Sequence, residues 1–72
     1  MIKLKIREVA KAKGFSMGKL SRASDVSYRT IKLIYADPYR SIETYTLDKL
    51  ATALGVKAEE LIETVDNKQP EN

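Results

Sequence analysis

The chain has 72 residues with a formal charge of +3, and it contains neither cysteine nor histidine. This length suits one small domain with an economical core, and the missing residue types remove disulfides, thiolate metal sites, the commonest metal ligand and the commonest general base near neutral pH. No apolar run approaches the roughly 20 residues of a membrane span, and the opening Met1-Ile2-Lys3-Leu4-Lys5-Ile6 alternates charged and apolar residues, unlike a signal peptide, so a cytoplasmic protein without metal or cofactor is expected.

Leu4, Ile6, Val9 and Ala10 recur at helical spacing ahead of Lys13-Gly14, a basic last turn followed by a glycine stop. The pattern predicts a first helix over about 5–13, and the alternation of Ile2 to Leu4 also suits a strand. Ser16 is placed to cap a second helix running to about Ser24, with Leu20 and Ala23 on its inner face. Asp25 takes the turn and Val26 plugs the corner. Ser27 caps a third helix, Tyr28 to Tyr35, in which Ile31 and Ile34 share one face while Tyr28, Arg29, Lys32 and Leu33 fall on others. Asp37-Pro38 ends that helix, because the residue before a proline is pushed out of the α region.

Tyr39 to Thr44 reads as a polar connection. Leu47, Leu50, Ala51 and Leu54 then carry a 3.6 period closed by Gly55, which predicts a fourth helix beginning at Glu43 or Thr44. Val56 leads into a short fifth helix, Ala58 to Glu63, with Leu61 and Ile62 turned inward, and Thr64 to Asn72 reads as a frayed tail. The predicted fold is all-α, a compact five-helix bundle with room for short extended termini. A domain over 1–66 and a flexible tail over 67–72 are the expected division.

Charge is spread unevenly. Residues 1–40 carry ten Lys/Arg against three acids, a local +7, whereas residues 41–72 carry three against seven, a local −4. A polyanion would meet the first half and be held off by the second. A solvated surface with chance asymmetry is the plain alternative.

Two short helices, each opened by a serine and separated by a tight turn, match a helix-turn-helix, in which the second helix is presented outward while the first braces it. Leu20, Ala23, Val26, Ile31 and Ile34 supply the inner packing of that pair. The outward residues of the third helix then carry the chemistry. Arg29 has a planar fork able to bridge guanine O6 and N7, and Lys32 can reach a guanine edge or a phosphate. Tyr28 brings a hydroxyl and a ring face, Thr30 a hydroxyl and a methyl, and Leu33 an apolar surface suited to thymine methyls. On an arbitrary helix the same charges would be solvated, and the two serines would be ordinary caps.

From Ile6 to Ile62, about four fifths of the chain, the sequence resembles the Cro/C1-type helix-turn-helix regulators, especially short single-domain members. The likeness lies in Phe15-Ser16-Met17-Gly18-Lys19-Leu20-Ser21, in Val26 through Ile34, and most clearly in Thr46 through Val56 followed by Glu59-Glu60-Leu61-Ile62. It implies a five-helix domain of the lambda-repressor-like type, a homodimer, and binding of double-stranded DNA at a short palindromic operator, as a transcriptional regulator and repressor. Under this resemblance the base contacts fall on Tyr28, Arg29, Thr30, Lys32 and Leu33. Phosphate contacts fall on Ser16, Met17, Lys19 and Ser27 at the helix starts, and on Arg40 in the loop that the family lays along the backbone. Four positions depart from the family pattern. Met17 replaces the usual glutamine that clamps a phosphate, Ala10 and Tyr35 stand where an Arg–Glu pair is common, and Asp37 replaces a glycine.

A different class of function is an antitoxin-like or scaffold module whose acidic half grips a protein partner. Catalysis has no support in the sequence, since no nucleophile–base set, phosphate loop or convergent carboxylate pair can be named. Helix 5, the 39–45 loop, and an edge formed by Ile2–Leu4 with Leu61–Val65 are all candidates for a dimer contact.

Overall fold

The computed structural model describes residues 1–66. Strand β1 (Ile2–Leu4) leads into helices α1 (Ile6–Ala12), α2 (Met17–Ser24), α3 (Tyr28–Ala36) and α4 (Thr44–Leu54). A 3-10 turn (Ala58–Leu61) then leads into strand β2 (Ile62–Thr64). One core unites these elements, built on Ile6 and Ala10 of α1, Leu20 of α2, Val26 of the turn, Ile31 and Ile34 of α3, Leu50, Ala51 and Leu54 of α4, and Leu61.

The expected bundle of five helices is corrected to four α-helices and a two-stranded sheet among the described residues, so the fold is mostly helical and not all-α. The segment from Ala58 makes a single 3-10 turn, tied by Glu60 Oε2 accepting from the Lys57 N–H at 3.0 Å. The chain then extends, because β-branched Ile62 and Thr64 prefer a pleated surface and β1 offers them an antiparallel partner. The register pairs Ile2 with Thr64, Lys3 with Glu63 and Leu4 with Ile62. Thr64 and Val65, expected to fray, are paired instead, and the Val65 N–H donates to the Met1 carbonyl at 2.8 Å. The expected tail over 67–72 lies outside the described residues.

Helix ends follow the sequence signals closely. α1 and α4 both close in a Schellman arrangement around Gly14 (φ +78°) and Gly55 (φ +71°). Phe15 N–H donates to Ala10 O at 2.8 Å in the first, and Val56 N–H to Ala51 O at 3.0 Å in the second. Asp37, extended before Pro38, ends α3 one residue later than expected.

Ala23 does not enter the core. It is exposed, and Ser24 is buried in its place. From Leu20 the inward row continues at i+4, and the serine hydroxyl is satisfied there. Its Oγ donates to Leu20 O at 2.6 Å and accepts from the Val26 N–H at 3.3 Å. Ser21 Oγ donates to Val26 O at 2.7 Å, so two hydroxyls grip both sides of the corner residue and fix the turn between α2 and α3. Asp25 takes the left-handed conformation there (φ 60°), as short polar side chains can.

Two glycines separate backbone strain from helix propensity. An added Cβ at Gly14 would meet nothing within 4 Å, so Gly14→Ala carries only the left-handed penalty, about 1–2 kcal/mol. Gly18 lies inside α2 with an ordinary φ, and its added Cβ would meet only the flexible Arg22 guanidinium at 3.4 Å. Gly18→Ala is therefore expected to stabilise by about 0.5–1 kcal/mol. Thermal melts should move in opposite directions, by roughly 4–8 °C per kcal/mol in a domain of this size. Shifts of the same sign would contradict the assigned backbone conformations.

Candidate nucleic-acid interface

α3 is held at its start by Ser27, whose Oγ accepts from the Thr30 N–H at 3.1 Å and donates to Thr30 Oγ1 at 2.8 Å. Ile31 and Ile34 anchor it to the core, being 0 % and 2 % exposed. Because residues four apart lie one above the other on a helix, the remaining residues form two outward rows. One is Arg29 and Leu33, and the other is Tyr28, Lys32 and Ala36. All five line a shallow depression along the outer face of α3. Tyr28 and Leu33 are 48 % and 39 % exposed, an apolar display that burial would ordinarily remove.

Four of the five residues predicted to read bases are thus brought together on this face. Thr30 is the exception, half-buried with its hydroxyl turned back onto the Ser27 cap. The cations are not equally engaged. Lys32 Nζ sits 5.9 Å from the Tyr28 ring centroid, whereas Arg29 is exposed and makes no hydrogen bond or ion pair among the described residues.

The start of α2 lies alongside. Ser16 Oγ accepts from the Lys19 N–H at 3.1 Å, and the N–H groups of Met17 and Gly18 ahead of it have no partner among the described residues. Oriented N–H groups at a helix start favour an anion. The Met17 side chain packs against the core and carries no donor, so only its backbone N–H can meet an anion. Lys19 is exposed, with its ammonium 4.6 Å from the Phe15 ring centroid.

Arg40 stands apart from this face. It lines a groove with Met1, Ile2, Tyr39 and Ile42, and its Nε is buried without a hydrogen-bond partner among the described residues. The loop that carries it is pinned by Leu4 N–H donating to Pro38 O at 2.7 Å and by Asp37 Oδ1 accepting from Tyr39 N–H at 3.1 Å.

Sequence reasoning passed over Arg7 and Ala36. A second cleft, lined by Arg7, Met17, Lys32, Tyr35 and Ala36, joins α1 and the start of α2 to the flank of α3. Tyr35, in the last turn of α3, is half-buried and packs on the core. Burial pushes its phenol up from the ordinary value, with Arg7 opposing and Glu8 reinforcing that shift. The signal available in the sequence was spacing, since Arg7 precedes Ala10 by one helical turn.

The model of the Cro/C1-type HTH DNA-binding domain matches residues 5–67. The chain belongs to this family. It is therefore a DNA-binding domain of the helix-turn-helix class, with double-stranded DNA as its partner, and α3 is the second helix of its motif. Neither a curated protein nor a solved structure matches the chain. Among the described residues no helix is long and apolar enough to cross a membrane, and no group of His, Cys, Asp or Glu could hold a metal ion.

Proposed function

We propose that this Cro/C1-type domain is a sequence-specific transcriptional regulator that represses by occupying a short palindromic operator in the cytoplasm. The observation that carries the reading is the outer face of α3, where Tyr28, Arg29, Lys32 and Leu33 stand exposed on a helix anchored by Ile31 and Ile34. Inserted in the major groove, Arg29 and Lys32 meet guanine edges, Leu33 meets thymine methyls, and Tyr28 contributes a hydroxyl and a ring edge. Thr30 contributes its methyl at the margin. Ser16, Met17 and Lys19 at the start of α2, with Ser27 at the start of α3, hold phosphates through backbone N–H groups and one ammonium. Arg40 reaches a phosphate farther out on the duplex.

A palindromic site requires two recognition helices about one DNA turn apart, hence a homodimer. Two of the candidate contact regions, β1 and the loop after α3, meet in one groove lined by Met1, Ile2, Tyr39, Ile42 and Ile62. Met1, Ile2, Tyr39 and Tyr45 are between 45 % and 56 % exposed. An apolar surface of this kind, away from α3, suits a second copy. It is equally the observation that favours the other reading, a module gripping a protein partner.

Selection from a randomised duplex pool with the purified protein, read beside its solution mass, tests both. The expected result is one enriched palindrome bound by a dimer, with affinity falling steeply as salt rises. Equal, weak binding to every duplex would overturn the regulator reading. A monomer that co-purifies with a stoichiometric protein partner would favour the interaction module.

A further inference from the structure

The cleft that joins α1 to the helix-turn-helix shares Lys32 and Ala36 with the outer face of α3. The two depressions form one continuous strip, running from Arg29 and Leu33, across Lys32 and Ala36, to Arg7 and Met17. At its far end stands Arg7, exposed and without a hydrogen bond or ion pair among the described residues. The neighbouring acid that could neutralise it, Glu8, is engaged elsewhere, with Oε2 3.6 Å from Lys3 Nζ. Met17, the α2 residue that lines the cleft, offers only backbone N–H to an anion, and the Lys19 ammonium of α2 is not part of the strip.

We infer that Arg7 of α1 is a phosphate-binding residue of the DNA interface, clamping the backbone strand that borders the groove entered by α3. A guanidinium is suited to this place because it binds a phosphate bidentately and is only weakly hydrated. Arg7 reads no base. It sets how deeply and at what angle α3 sits, the role that the Met17 side chain cannot take. Tyr35, half-buried in the same cleft between α1 and α3, gives the Arg7 stem an apolar wall.

The inference rests on the DNA-binding reading above, and the experiment separates the two. Binding of Arg7→Ala, Arg7→Gln and Lys11→Ala is measured against the selected duplex and an unrelated duplex over a range of salt. Lys11 is the matched control, exposed on α1 and absent from the lining of either depression, and its removal takes away the same unit of charge. Both Arg7 variants are expected to reduce the slope of log K against log salt by about 1, and to weaken the two duplexes by the same factor, roughly tenfold. Lys11→Ala should leave the slope nearly unchanged. If the parent protein binds no duplex, the regulator reading itself fails. If the parent binds but the Arg7 variants match Lys11→Ala in slope, Arg7 adds only diffuse charge and the inference is overturned. A loss confined to the selected duplex would overturn it too, because that is the behaviour of a base reader.

Discussion

Ile31→Ala is expected to remove most of the folding stability of this domain and, with it, any DNA binding. Ile31 is fully buried at the centre of α3, where the helix meets α1 and α2. Truncating a buried isoleucine to alanine costs about 2–5 kcal/mol, from lost burial and from the cavity left behind. Chains of this size have about 4–11 kcal/mol in total, at the usual stability per residue, and small cores lie toward the lower end. Nor does the domain have a second source of stability, since there is no disulfide and the ion pair between Lys3 and Glu8 is exposed. Urea unfolding followed by circular dichroism should show a midpoint reduced by about half or more, with the slope m unchanged. Ile31→Val should cost only about 0.5–1.5 kcal/mol. Leu33→Ala, two residues away on the exposed side, should lie within about 0.5 kcal/mol of the parent. If Ile31→Ala and Leu33→Ala proved alike, the division of α3 into an anchoring face and an outward face would be wrong.

That division was legible in the sequence because α3 announces both faces. Ile31 and Ile34 are strongly apolar at helical spacing, and Ser27 and Pro38 mark where the helix starts and stops. Gly14 and Gly55 were legible for the same reason, since a glycine after a periodic run has one common explanation. The sequence was silent where a residue's chemistry conflicts with its position. Ser24 is polar by type, and only the structure reveals that Leu20 O and the Val26 N–H satisfy it in the core. Ala23, apolar by type and adjacent, was the natural but mistaken choice. The sheet was legible only in part. The alternation of Ile2 to Leu4 suits a strand, and Ile2–Leu4 with Leu61–Val65 reads as an edge, but Ile62 to Thr64 also continues a helical pattern, and the antiparallel register between the two segments is a long-range contact that no local pattern reports. Arg7 was missed because its neighbours in the cleft come from two other helices, α2 and α3.

Arg29→Ala should produce the largest change in sequence preference of any single substitution in this protein. Its position, second in α3, is where recognition helices present side chains to base edges. Its guanidinium has no competing partner among the described residues, whereas the Lys32 ammonium is drawn toward the Tyr28 ring and the Thr30 hydroxyl toward Ser27. A bidentate contact to one guanine contributes about 1–3 kcal/mol of discrimination. Removing it should therefore weaken the selected duplex by roughly tenfold to hundredfold. Binding to an unrelated duplex should change far less, because phosphate contacts dominate there. Arg29→Lys should recover the charge but not the preference, since an ammonium lacks the fork that matches O6 and N7 together. The measurement is a panel of duplexes in which each base pair of the half-site is changed in turn. With Arg29→Ala the penalty at one base pair should vanish while the penalties at the others persist. Uniform weakening across the panel would place Arg29 on the phosphate backbone and leave base reading to Lys32, Tyr28 and Leu33. The contrast with Arg7 is then direct: one arginine is expected to change which duplex is chosen, the other how strongly salt opposes every duplex.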